Sequence, residues 1–389
     1  MQVATSSRLQ GIGEYYFSGK LREIDQLNQQ GKAIINLGIG SPDLPPHPSV
    51  IKTLEEAAAK PQVHGYQNYK GLPELRQAMA DWYLRSYGVT LNPDRQILPL
   101  MGSKEGIMHI CMTYLNPGDQ ALLPNPGYPT YSSAVKLSGG TPVTYQLTEQ
   151  HNWEPDWDAL EKLDLSKVKL MWVNYPHMPT GQSATPQLFE KLIAFARQHQ
   201  ILICHDNPYS FILNDHPVSI LQTPGALEVA VELNSLSKSH NMAGWRVGML
   251  CGADERIAEV LTFKSNMDSG MFLPVQMAAV TALGLGTEWQ KEVNAIYAAR
   301  REKVLELLQL LDCSPAPDQV GLFIWAAIPD GYASGYELSD WVLYSAGVFI
   351  TPGGIFGASG DRYIRVSLCG TAEKFAEAIE RIKIHVSGN

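Results

Sequence analysis

A chain of 389 residues, 45% hydrophobic and 18% charged, is long enough for two domains and has the make-up of a globular enzyme. Its net charge of −9 argues against a nucleic-acid partner, since phosphate backbones attract basic surfaces. No run approaches the roughly 20 apolar residues of a membrane span, no secretion signal opens the chain, and the five scattered cysteines read as buried free thiols of a cytoplasmic protein rather than disulfides or metal ligands.

In chain order, the first landmark is the turn Gly38-Ile39-Gly40-Ser41-Pro42-Asp43. Tyr66 then opens a polar stretch that runs to Arg76. Ile97-Leu98-Pro99-Leu100 reads as a strand leading into a helix over 104–115. Between them, Gly102-Ser103-Lys104-Glu105-Gly106 suits a phosphate, because the first N–H groups of a helix are unpaired; a plain helix start has the same look. Ala121-Leu122-Leu123 precedes a Gly/Pro turn carrying Tyr128. The apolar run 169–173 ends at Asn174, and the turn to Gly181 follows. Thr185 is placed to cap a helix whose first residue is Pro186 and whose apolar stripe is Leu188, Leu192 and Phe195. Strands starting at Ile201 and Val229 are followed by Asp206-Asn207-Pro208-Tyr209 and by Ser235-Leu236-Ser237-Lys238. A long amphipathic pattern over 288–311 leaves the large domain, and Tyr363-Ile364-Arg365-Val366-Ser367 lies beyond it.

Strands alternating with helical patterns predict an α/β fold around a largely parallel sheet. Ligands of such sheets bind beyond the carboxyl ends of the strands. The turns at 177–181, 206–209 and 235–238 each come directly after a strand, so they gather at one edge.

Lys238 stands among hydroxyls, with Arg246 eight residues on. A lysine that condenses with a carbonyl needs neighbours that lower its pKa. Hydroxyls and a fixed guanidinium are what a phosphate needs. Together they point to pyridoxal 5'-phosphate; the plain alternative is a solvated turn before a strand. Asp206 fits the carboxylate that keeps the cofactor's ring nitrogen protonated, and Arg365 offers a planar fork for a substrate carboxylate. No complete G-x-G-x-x-G, P-loop or G-x-S-x-G motif occurs, which disfavours nicotinamide, nucleotide and α/β-hydrolase chemistry.

These segments, in this order, resemble the fold-type I pyridoxal phosphate enzymes, specifically class I/II aminotransferases. The nearest look is to the LL-diaminopimelate, aspartate and alanine branch. The resemblance implies a large domain over 45–289 with a mostly parallel seven-stranded sheet flanked by helices. It implies a smaller α+β domain built from 1–44 and 290–389. It implies phosphate contacts at Gly102, Ser103, Lys104, Ser235, Ser237 and Arg246, a ring stacked on Tyr128, and a phenol from Tyr209 to the ring oxygen. Gly40 matches the small residue beside the substrate carboxylate. Tyr66 matches the tyrosine that reaches the neighbouring subunit's phosphate, implying a homodimer with shared sites. Tyr15, Tyr16, Met271 and Phe272 are the candidates for side-chain selection. The implied reaction moves an amino group from an amino acid to a 2-oxo acid by a ping-pong route. A carbon–sulfur β-lyase on the same scaffold, and a non-enzymatic effector domain, are the alternatives. The sequence departs from the family at Met178, where relatives carry an asparagine that donates to the ring oxygen; Asn174 and His177 are the candidates to replace it. At Tyr69, one branch carries a glutamate that recognises a distal amine.

Overall fold

The computed structural model describes residues 3–14 and 16–386. Its centre is a seven-stranded sheet. In chain order the strands are β1 (Ile97–Leu100), β2 (Gln120–Asn125), β3 (Thr141–Gln146), β4 (Val168–Asn174), β5 (Leu202–Asp206), β6 (Ala230–Ser235) and β7 (Gly248–Cys251). In space they run β1-β7-β6-β5-β4-β2-β3. Only β7 opposes its neighbours; β2 to β6 pair in parallel. Parallel strands are covered on both faces, which is why their sequences read as continuous apolar runs.

Successive side chains of a strand leave on opposite faces, and the core divides accordingly. Leu170 and Trp172 of β4 join Leu202 and Cys204 of β5 in one apolar cluster, while Met171, Val173 and Ile203 join the other. The helices over the faces start where the sequence places them. Thr185 Oγ1 accepts the N–H of Leu188 at 3.1 Å, with Pro186 as first residue of the helix Pro186–His199.

Two smaller sheets stand apart from the large one. Ile35–Asn36 pairs in parallel with Val348–Phe349. Tyr363–Ser367 lies antiparallel to Phe323–Ala327 and to Thr351–Pro352, with Ser314–Pro315 outermost. The helix Thr287–Leu310 runs from the large-sheet region toward these strands, close to the amphipathic span expected from sequence. Among the described residues, no helix is long and apolar enough to cross a membrane.

Candidate active site

Strands β4, β5 and β6 are neighbours and end at Asn174, Asp206 and Ser235. These residues line a cavity of about 590 Å³, together with Gly40, Ser103, Lys104, Tyr128, Met178, Tyr209, Ser237, Lys238, Arg246 and Arg365. The expectation that the polar turns gather at one sheet edge is met.

Lys238 sits in the single turn Leu236–Ser239, which follows β6 because Ser235 Oγ caps it, accepting the Ser237 N–H at 3.1 Å. Its Nζ donates to the carbonyl of Gly40 at 2.6 Å. Burial lowers its amine to about 8; Cys369 opposes this, and the nearby Arg365 and Arg246 charges add smaller downward effects. Across the cavity, Asp206 is buried. Its Oδ2 accepts the Tyr131 hydroxyl at 2.8 Å, and its Oδ1 has no hydrogen-bond partner among the described residues. Burial raises this carboxyl to about 6, although Tyr131 and His205 pull the other way.

The far end of the cavity is built for an anion. The helix Ser103–Tyr114 starts after Gly102, whose φ of +87° is a left-handed conformation. A Cβ at Gly102 would lie 2.0 Å from the Arg246 guanidinium. Arg246 is itself left-handed, with Nη1 donating to the carbonyl of Ala243 at 2.8 Å. Ser235 Oγ lies 2.9 Å from Ser237 Oγ. A helix N-terminus, hydroxyls and a guanidinium fit a phosphate. The unpartnered Asp206 Oδ1 fits a protonated ring nitrogen, and the partly neutral Lys238 amine fits an aldehyde. The residues present therefore suit pyridoxal phosphate.

Arg365 comes from the strand Tyr363–Ser367. Its Nη2 donates to the Gly38 carbonyl at 2.8 Å and its Nη1 to Met178 Sδ at 3.4 Å. Its guanidinium lies 3.8 Å from the ring centre of Phe323, 4.7 Å from Phe356 and 5.6 Å from Phe17. Gly40 has no room for a side chain, since a Cβ would sit 2.1 Å from Phe323.

Some expected residues lie elsewhere. Tyr15 is outside the described residues. The helix Tyr16–Gln29 turns Phe17, Ser18 and Leu21 to the cavity, whereas Tyr16 packs edge-on against Tyr336 at 6.2 Å. Helical spacing explains the correction: residues 17, 18 and 21 share a face that 16 does not occupy. Met271 is buried outside the cavity, and Phe272 stacks on His64 at 5.9 Å. Tyr66 is 96% exposed and is not among the residues that line the cavity. Neither candidate replaces the amide lost at Met178. His177 faces Thr180, Nδ1 to Oγ1 at 2.8 Å, and is absent from the cavity wall. Asn174 lines the cavity, but its side chain is taken up by backbone, donating to Asp206 O at 2.7 Å and accepting from Met178 N at 2.8 Å.

Sequence reasoning missed Tyr131. It is stacked on Trp172 at 5.0 Å and edge-on to Tyr128 at 5.5 Å, holding both Asp206 and the Tyr128 ring. Its spacing of three from Tyr128, across a helix start, was the available signal. It also gave no partner to His205, which faces away from Asp206 as strand alternation requires. The His205 nitrogens face Glu232 Oε2 and the Tyr175 carbonyl, each at 2.8 Å. Glu232 also accepts from the Tyr83 and Ser219 hydroxyls and the Ile220 N–H.

Known proteins agree with this geometry. A family profile described as aminotransferase class I and II matches residues 32–382. An LL-diaminopimelate aminotransferase of Dehalococcoides mccartyi is 40% identical over 379 residues, 97% of either chain. Apo-BacF of Bacillus subtilis superposes with a TM-score of 0.93 at 36% identity, covering 99% of this chain and 98% of its own. A probable N-succinyldiaminopimelate aminotransferase of Thermus thermophilus gives 0.88 at 32% identity over 95% and 99% of the two chains.

Proposed function

The chain belongs to the aminotransferase class I and II family, and from that premise we propose how its own residues serve the reaction. The activity is pyridoxal phosphate-dependent transfer of an amino group from an amino acid to a 2-oxo acid. The relatives are aminotransferases, so a β-lyase is not favoured. When bound, the cofactor supplies the electron sink that takes up the Cα electron pair.

Lys238 is the covalent anchor, and once displaced by substrate it acts as the general base that moves the Cα proton. Asp206 holds the proton of the ring nitrogen. Ser103, Lys104, Ser235, Ser237, Arg246 and the Gly102 turn bind the phosphate. Tyr128 covers the ring, and Tyr209 donates to its oxygen. Arg365 grips the α-carboxylate beside Gly40, with Met178 against it. One observation carries these roles: an amine near its neutral form and an unpartnered carboxylate oxygen line the same cavity.

The division into 1–44 with 290–389 against 45–289 puts Arg365 and Lys238 on different bodies, which would grip the substrate between them. The exposure of Tyr66 supports a homodimer in which it completes the partner's site. Five free cysteines support a reducing cytoplasm.

Borohydride reduction of the holoenzyme tests the anchor. The label should appear in the peptide carrying Lys238, and Lys238→Ala should abolish turnover while cofactor is still held through its phosphate. A label on another lysine would overturn the assignment.

A further inference from the structure

We propose that the preferred amino donor carries an apolar side chain, and that neither LL-diaminopimelate nor aspartate is the natural donor, although chains 40% identical are named for the former. The inference rests on the aminotransferase reading and concerns only which donor enters.

The charges of the cavity decide it. Among its described lining residues are four cations, Lys104, Lys238, Arg246 and Arg365, and one carboxylate, Asp206. Lys104 and Arg246 belong to the anion end with Ser103, and Lys238 faces Asp206 across the reacting centre. Arg365 is left for the α-carboxylate. No further cation remains for a distal carboxylate. No carboxylate remains for a distal ammonium, because Asp206 lies at the end of β5 with one oxygen on Tyr131.

What remains of the wall is mostly apolar and carries no charge: Phe17 and Leu21 from the first helix, Ile39 before Gly40, and Phe356, with the hydroxyls of Ser18 and Ser41 as its polar groups. Three aromatic rings, Phe323, Phe356 and Phe17, already lie 3.8, 4.7 and 5.6 Å from the Arg365 guanidinium, so a carboxylate held there is surrounded by apolar surface. The segment carrying the exposed Tyr66, from Ala59 to Pro73, contains no aspartate or glutamate. Its reach into a partner's site would bring no acid. Lys70, in the same segment, donates to the Asp94 carbonyl at 3.4 Å. A charged side chain brought against such a wall loses its water and gains no partner. A site lacking the required polar partner discriminates by roughly 100-fold or more.

The test is the donor half-reaction alone. Holoenzyme is mixed with excess L-leucine, L-methionine, L-phenylalanine, L-aspartate or LL-diaminopimelate, and the loss of the visible band is followed without any oxo acid. Conversion by at least one apolar donor with an apparent second-order constant roughly 100-fold above both charged donors supports the proposal. Equal or faster conversion by aspartate or LL-diaminopimelate overturns it. No conversion by any of the five would overturn the aminotransferase reading itself, and the donor assignment with it. Leu21→Arg gives the second arm: by placing a cation on the apolar wall, it should raise aspartate relative to phenylalanine at least 10-fold. An unchanged ratio in a folded variant that still binds cofactor would reject Leu21 as part of the side-chain pocket.

Discussion

An amine that titrates near 8 behaves differently from an ordinary lysine at every pH used in the laboratory. Only the neutral form attacks a carbonyl. Burial chiefly disfavours the ammonium of Lys238, so its neutral fraction rises as pH passes through about 8. A lysine of the ordinary 10.5 would be neutral in only about 0.3% of molecules at that pH. Loading of the cofactor-free protein with pyridoxal phosphate, followed by visible absorbance, should therefore speed up with a midpoint near pH 8; a midpoint above 10 would contradict the buried setting. Met178 gives a second expectation. Its thioether has no N–H to offer, and neither Asn174 nor His177 is turned to substitute. Met178→Asn should add a donor for the cofactor's ring oxygen, stabilise its anion, and move the visible titration of the holoenzyme to lower pH. An unmoved titration would mean that another donor already serves that oxygen. The gathering of Lys238, Asp206 and Arg365 around one cavity was legible in the sequence because each expected task needs a particular residue type, at a strand end or within a strand. Phe17 and Tyr131 were not, because aromatic residues at helical spacing read equally well as core.

Elements position these side chains, and the helix Ser103–Tyr114 depends on its first turn. Glu105 accepts the Met101 N–H, which fixes how the chain enters the helix. Gly102 combines a left-handed backbone with the close approach of Arg246, so an added methyl group is opposed twice. Gly102→Ala should weaken pyridoxal phosphate binding about 10-fold or more in equilibrium dialysis, as the guanidinium is displaced. It should also cost about 1–2 kcal/mol in denaturant unfolding of the cofactor-free protein. Undiminished cofactor affinity would show that the phosphate does not rest on this turn. The helix Pro186–His199 was readable to its first residue, because Thr185 and Pro186 state their roles locally. Strand β3 was not. It lies at the sheet edge, half-exposed, and Thr141, Thr144 and Gln146 dilute its apolar signal. Strand β7 is four residues long and reverses direction, which only its long-range pairing with β1 and β6 specifies.

At the scale of the whole molecule, the exposed Tyr66 is the residue on which a shared site can be tested. Mixing Lys238→Ala with Tyr66→Phe subunits tests this. If sites are shared, random reassembly makes hybrids with one doubly damaged site and one intact site, and about a quarter of wild-type activity should return. If every site is built from one chain, mixing should restore nothing above the Tyr66→Phe baseline. The pairing of Ile35–Asn36 with Val348–Phe349 has a consequence of another kind. During synthesis the first strand emerges about 310 residues before its partner exists. At 5–20 residues per second, that is a wait on the order of 15–60 s. For that interval Leu37, Gly38 and Gly40 have no sheet to hold them, while strands β1 to β7 can already assemble on the ribosome. Lys238 is thus in place before the carbonyl of Gly40 is held where the two meet, and this chain's own cavity wall closes only once residues 348–367 have joined it.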